Sequence, residues 1–126
     1  MVNDRFKIRV WDKYEKSYWL QSTIEQNIHW LMNPEEYKDA NYPPDYVKIE
    51  QCIGLKDKNG KLIYEGDIVR RSYGSEYYVG CVVWDYEEIQ FSMEVSEELY
   101  SFSQHSDSHK IEIIGNIHEN PDLIEL

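Results

Sequence analysis

Phe6, Ile8 and Val10 alternate with Lys7 and Arg9, and this period of two predicts a strand with one buried face. Asp12 to Lys16 reads as a turn and Ser17-Tyr18-Trp19-Leu20-Gln21 as the returning partner, so the chain opens on a β-hairpin. The period then lengthens. Ser22-Thr23-Ile24-Glu25 has the capping-box form, with Ser22 as cap and Glu25 reaching back. Ile24, Ile28, Leu31 and Met32 follow at helical spacing and define one apolar face. Pro34 ends that helix near Met32, and Asn33-Pro34-Glu35-Glu36 predicts a further helical turn with Asn33 as its cap. Asn41-Tyr42-Pro43-Pro44-Asp45 is irregular and marks a boundary. It separates an N-terminal hairpin and helix subdomain, residues 1–45, from a C-terminal subdomain, residues 46–126.

Beyond the boundary the pattern is that of strands. Val47, Ile49, Gln51 and Ile53 alternate with Lys48, Glu50 and Cys52 up to Gly54. Asn59-Gly60 predicts a hairpin with a type I′ turn, because both central residues of that turn need positive φ. Gly66-Asp67 punctuates the chain again before Ile68-Val69-Arg70-Arg71, and Tyr73-Gly74-Ser75-Glu76 makes the next turn. Tyr77 to Trp84 is a long aromatic and β-branched run interrupted by Gly80, which predicts a bend or bulge. Asp85 to Glu88 turns, and Ile89, Phe91, Met93 and Val95 alternate with Gln90, Ser92 and Glu94. A weaker strand, Leu99 to Phe102, precedes a polar loop over Gln104–His109 and a last clear strand, Lys110 to Ile114. Asn120-Pro121-Asp122 predicts a short terminal helix capped by Asn120. Short strands at this spacing predict a mainly β protein whose C-terminal part is a small barrel.

Three stretches carry a family resemblance. Gly54 to Val69, with its Asn59-Gly60 turn and its Glu65-Gly66-Asp67-Ile68-Val69 strand entry, resembles the signature of the YopX family. Phe6-Lys7-Ile8-Arg9-Val10-Trp11-Asp12 resembles the family's opening, and Ile114-Gly115-Asn116-Ile117-His118-Glu119-Asn120-Pro121-Asp122-Leu123 its close. The resemblance implies a phage or prophage accessory protein of Gram-positive bacteria. It implies an SH3-like barrel in the C-terminal part and a tendency to self-assemble into homo-oligomers. It brings no established activity, so no functional residue is carried over.

Composition sharpens the picture through charge. The net charge is −11, and residues 64–126, with three basic and fourteen acidic residues, carry all of it. Between Ser72 and His109 there are eight carboxylates and no Lys or Arg. Such a surface repels phosphates, which disfavours direct nucleic-acid binding. It suits a basic protein partner or a nucleic-acid mimic, and equally a solvated face. No apolar run approaches the roughly 20 residues of a membrane span, and Met1 to Arg5 lack an apolar signal region, so the expectation is a cytoplasmic protein of the bacterial host. Cys52 and Cys81 fall in different predicted strands and read as reduced, buried thiols.

No constellation points to catalysis. His105 and His109 flank Asp107 at a spacing that suits metal ligands on a helix, yet they lie in a Ser-rich loop without a third ligand beside them. His118-Glu119 is explained by the adjoining Asn120 cap, and the acidic residues around Asn59 do not have the twelve-residue calcium-loop spacing. The expectation is therefore a non-enzymatic protein with no metal and no cofactor. The aromatics suggest more. Tyr77 and Tyr78 are adjacent on one strand and must point to opposite faces, so with Trp84 and Tyr86 they form a candidate interaction surface for a protein partner or another copy of the chain. The alternative is a nucleic-acid-associated regulatory role, through single-strand binding or mimicry, for which Arg70-Arg71 and the Arg5/Lys7/Arg9 stripe are the basic candidates.

Overall fold

The computed structural model describes residues 7–37, 46–102 and 110–124. They are mainly β, and the chain groups into two compact units. One is Ile8–Gln51; the other is Cys52–Leu126 with the N-terminal segment up to Lys7. The predicted boundary segment 41–45 and the Gln104–His109 loop lie outside the described residues, as does Phe6.

In the Ile8–Gln51 unit, β1 (Ile8–Asp12) pairs antiparallel with β2 (Ser17–Tyr18) and with the first half of β3 (Val47–Lys56). The helical stretch differs from expectation. It is α1 (Gln21–Gln26) followed by α2 (Ile28–Met32), and Leu20, not Ser22, stands at the cap position. Asn27 interrupts the helix at φ −115°, and its side-chain amide donates to the Thr23 carbonyl at 2.8 Å. The buried face is narrower than the predicted one. Ile24 and Leu31 are buried with Val10, whereas Ile28 and Met32 are exposed. Asn33 also behaves differently: its amide donates to the His29 carbonyl at 2.9 Å, closing α2 before the 3₁₀ turn Pro34–Tyr37.

The second unit contains the rest of β3, β4 (Leu62–Tyr64), β5 (Asp67–Tyr73), β6 (Glu76–Asp85), β7 (Gln90–Val95), β8 (Glu98–Ser101) and β9 (Ile111–Asn116). A 3₁₀ turn, Pro121–Leu123, follows β9. Five strands form one antiparallel sheet in the order β8-β7-β6-β5-β9. Ile53 and Ile63 of the β3–β4 hairpin pack with Val69, Val82, Met93 and Ile111 of the sheet as one buried cluster. The sheet is curled. In a flat sheet β5 and β8 would lie about 14 Å apart, three strand spacings, yet Nη1 of Arg71 donates to the Ser101 carbonyl at 2.9 Å.

Turn chemistry explains much of this unit and corrects several expectations. Gly60 has φ +82° but Asn59 is not in the left-handed region, so the Asn59-Gly60 turn is not type I′. Asp57 holds it instead. This buried carboxylate accepts the Asn59 and Lys61 amides at 2.9 and 3.0 Å, and on its other oxygen the Ile113 amide of β9 at 3.0 Å. The type I′ geometry appears where no glycine stands: Ser96 and Glu97, between β7 and β8, have φ +48° and +71°. Ile89 is not the first residue of β7. It is exposed in the preceding turn at φ +54°, an unusual conformation for a β-branched residue. The β5–β6 ladder runs through Gly80 without a bulge. Gly80 is needed because a Cβ there would collide with the Glu94 carbonyl and the Val95 side chain of β7. In β3, Gln51 is exposed while Glu50 is buried, accepting from Arg9 Nε at 2.8 Å and the Tyr18 hydroxyl at 2.9 Å.

Asp57→Ala removes the shared acceptor of three amides in two elements at once, and denaturant unfolding should show a loss of about 2–4 kcal/mol. Burial would raise the Asp57 carboxyl, but the Ile113, Lys61 and Asn59 amides and the Lys61 charge outweigh it and hold its pKa below 3.8; Asp12 is lowered likewise by its own donors. The unfolded chain therefore takes up these protons first, and the stabilisation present above the ordinary carboxyl pKa is lost as pH falls through and below it. Acid unfolding of Asp57→Asn should show a shallower pH dependence than that of the parent. Replacing Ser96-Glu97 by Asn-Gly should relieve left-handed strain and raise stability by about 1 kcal/mol, a rise of about 3–5 °C in a thermal melt; an unchanged or lower Tm contradicts the turn assignment.

Candidate functional site

The β5–β6 hairpin sets the position of the aromatics. Its two-residue turn, Gly74-Ser75, has φ +62° at Gly74, so Tyr73 pairs with Glu76 across the strand ends. In this register Arg71 lies opposite Tyr78, and both share the face that carries Val69 and Val82 nearer the core. Tyr78 meets Tyr73 edge-on with centroids 5.4 Å apart, and stacks on Tyr100 of β8 at 6.2 Å. All three rings are about two-fifths exposed: Tyr73 42%, Tyr78 42% and Tyr100 39%. Beneath them Arg71 is buried, its guanidinium 5.3 Å from the Tyr73 ring and 5.5 Å from that of Phe102. The result is a shelf of three tyrosines at one end of the sheet.

The four residues singled out from the sequence do not converge. Tyr78 is on the shelf, but Tyr77 points to the opposite face, under the Arg70 guanidinium at 5.5 Å. There it lines a shallow groove of about 370 Å³ with Val79, Glu94, Leu123 and Ile124. Trp84 is half-buried against Phe91 at 4.9 Å, at the far end of β6 from the shelf, and Tyr86 beside it is almost fully exposed. Tyr100 and Arg71 complete the shelf and were not selected with the candidate surface. The two-residue turn at Ser96-Glu97 places Tyr100 opposite Met93, on the same face as Tyr78, a pairing that no turn-forming residue marks in the sequence.

The basic residues named as nucleic-acid candidates are largely engaged within the protein. Arg70 pairs with Glu112, Arg71 is buried, and Arg9 pairs with the buried Glu50. Arg5, His105 and His109 lie outside the described residues. Among the described residues no group of three or more His, Cys, Asp or Glu side chains is placed to hold a metal ion. Cys52 and Cys81 are buried and are not joined in a disulfide. Among the described residues no helix is long and apolar enough to cross a membrane.

The three signature stretches converge on backbone support. Asp12 accepts the Tyr14 and Glu15 amides, the Trp19 indole and the Tyr46 hydroxyl. The Ile117 amide donates to the Gly66 carbonyl at 2.8 Å, and Gly66 N–H to Val82 at 2.9 Å, joining the middle and closing signatures. Asn120 occupies the predicted cap position but does not cap; its Oδ1 reaches back to the Asn116 amide at 3.2 Å and lies where a Cβ at Gly115 would be. Asn116 Oδ1 in turn accepts the His118 and Glu119 amides. These residues build turns and offer no reacting group.

A crystal structure of protein EF1440 from Enterococcus faecalis is similar over 94% of this chain and 97% of that one, with a TM-score of 0.58 and 25% identity. No curated protein matches the chain significantly. The model of the family described as YopX protein matches residues 7–125, in agreement with the resemblance carried by the three signatures. The chain belongs to the YopX family.

Proposed function

We propose that this protein is a non-enzymatic, cytoplasmic phage or prophage accessory protein that works by protein–protein contact, including self-assembly. The tyrosine shelf carries this reading: Tyr73, Tyr78 and Tyr100 form a contiguous aromatic surface at a sheet end, beside the exposed edge strand β8. Aromatic patches and open edges of this kind are costly to leave uncovered. The curled sheet, with Arg71 joining β5 to β8 and the β3–β4 hairpin packed on its core face, supports reading this unit as an SH3-like barrel. Reactive chemistry lacks comparable support, since the lowered carboxyls of Asp12 and Asp57 are committed to turn amides. The nucleic-acid alternative is weakened because Arg9, Arg70 and Arg71 are held in internal contacts.

Charge suggests the mode of self-assembly. Residues 1–63 carry equal numbers of acidic and basic residues, whereas residues 64–126 hold the whole −11. A near-neutral half docking on a neighbour's acidic half is a heterologous contact, which closes into a ring when the rotation permits. Sedimentation equilibrium should give a multiple of the 15.2 kDa chain mass, decreasing as salt is raised. A monomer at the highest soluble concentration removes self-assembly. A gel-shift series with single- and double-stranded DNA should show no complex even at low ionic strength; a salt-sensitive shift would favour the alternative.

A further inference from the structure

We propose that the Tyr73–Tyr78–Tyr100 shelf and the adjoining edge of β8 dock an extended protein segment bearing arginine or lysine side chains. The inference rests on the reading of the chain as a contact module, but not on self-assembly. Three observations support it. The rings are exposed and contiguous, and the face of an aromatic ring attracts cations. Arg71 already lies over Tyr73 from beneath, so this cluster accommodates a guanidinium in the fold itself.

Carboxylates border the shelf. Glu98 Oε2 accepts the Tyr100 hydroxyl at 2.8 Å, a bond that raises the pKa of this hydroxyl and keeps it a donor. Glu76 stands opposite Tyr73 and Glu97 in the turn before β8, both exposed. From Ser72 to His109 the sequence supplies no Lys or Arg, and Arg71, the cation beneath the rings, is buried and donates to the Ser101 carbonyl. The complementary ligand is cationic.

The edge sets the ligand's shape. β8 ends the sheet, and all four of its residues are exposed. Val95 and Glu98 flank a two-residue turn and pair directly, so in the antiparallel alternation the main-chain groups of Leu99 face away from β7. An added strand bonds there and presents alternate side chains to the shelf. A nucleic acid brings phosphates to the carboxylates, and a second copy adding its own β8 edge here brings its Glu97 and Glu98; both are repulsive.

The test is a titration of the full chain with a synthetic peptide in which arginine alternates with threonine, read by tyrosine fluorescence and by backbone amide shifts. Saturable binding with shifts at Leu99 to Ser101 is expected, and no binding of the same peptide with glutamate for arginine. Tyr78→Ala and Glu98→Lys should each weaken binding by about three- to thirtyfold, while Tyr86→Ala leaves it unchanged. Should Tyr78→Ala melt early, Tyr100→Ala and Glu98→Gln ask the same question. Absence of saturation at low salt overturns the proposal, as does undiminished binding by the shelf variants. Binding of oligothymidylate in place of the peptide also overturns it, and so does loss of peptide affinity in step with a doubled solution mass. Because solution mass is read separately, failure here is distinguishable from failure of self-assembly.

Discussion

The carboxylate of Asp57 is the point at which the larger unit is tied together. A hairpin and a sheet strand that are far apart in sequence meet there, because one oxygen takes two amides of its own turn and the other takes the Ile113 amide of β9. The Lys58 amide adds a bond to the Ile111 carbonyl at 2.8 Å beside it. Buried carboxylates are tolerated only when nearly every lone pair has a donor, and three backbone N–H groups provide that. With the hairpin anchored, Ile53 and Ile63 are held over the sheet and the core is closed. The same device recurs at Asp12, at Asp67, which accepts the Tyr64 amide, and at Asp85, which accepts the Glu87 and Glu88 amides. Each is a buried aspartate serving a turn.

These aspartates alter the meaning of the acidic composition. Asp67 and Asp85 count toward the −11 of the second half but are buried in turns, as Asp57 is in the first half, so part of the formal charge is structural. The exposed acidity concentrates on glutamates, with Glu76, Glu94, Glu97 and Glu98 all exposed along the strands next to the shelf. Arginine shows the converse. The Arg70-Arg71 pair that looks like a phosphate hook in the sequence is used inside the unit, one member against Glu112 and the other to join β5 to β8. Charge counts alone do not separate these roles, because burial and pairing decide which charges a partner meets.

Strands were legible from apolar and β-branched runs bounded by turn residues, although burial does not alternate strictly along β1, β5 or β9, and the turn at Gly74 reads directly from glycine's freedom at positive φ. Turn type was less legible. Asn59-Gly60 carries the strongest type I′ signal, but the Asp57 side chain imposes another geometry, while Ser96-Glu97 forms the left-handed pair without a residue that prefers it. The width of the helical face was less legible too: the chain breaks at Asn27, and only Ile24 and Leu31 are buried while Ile28 and Met32 are exposed. Gly80 marks a close approach that depends on β7, a strand distant from it in the pattern. Each miss occurs where a side chain or neighbouring strand outweighs a local preference.

The same reasoning explains why the four aromatics of the candidate surface lie apart. β6 is ten residues long, about 33 Å of strand, but its buried stretch is centred on Gly80 to Val82. The strand end from Glu76 to Tyr78 extends past the core, and a hairpin tip there is open on both faces. Adjacent tyrosines on such a tip are both exposed, as the alternation requires, and their rings have different partners: Tyr77 lies against Arg70, and Tyr78 against Tyr73 and Tyr100, while both residues border the groove with Leu123. Trp84, six residues further along β6 than Tyr78, returns to the covered part of the strand and is half-buried against Phe91. What completes the shelf is sheet curvature, which brings β8 round toward β5 and sets Tyr100 over Tyr78. Curvature is a property of the assembled sheet and has no period in the sequence, so the partner ring of the site could be recognised only once the strands were paired.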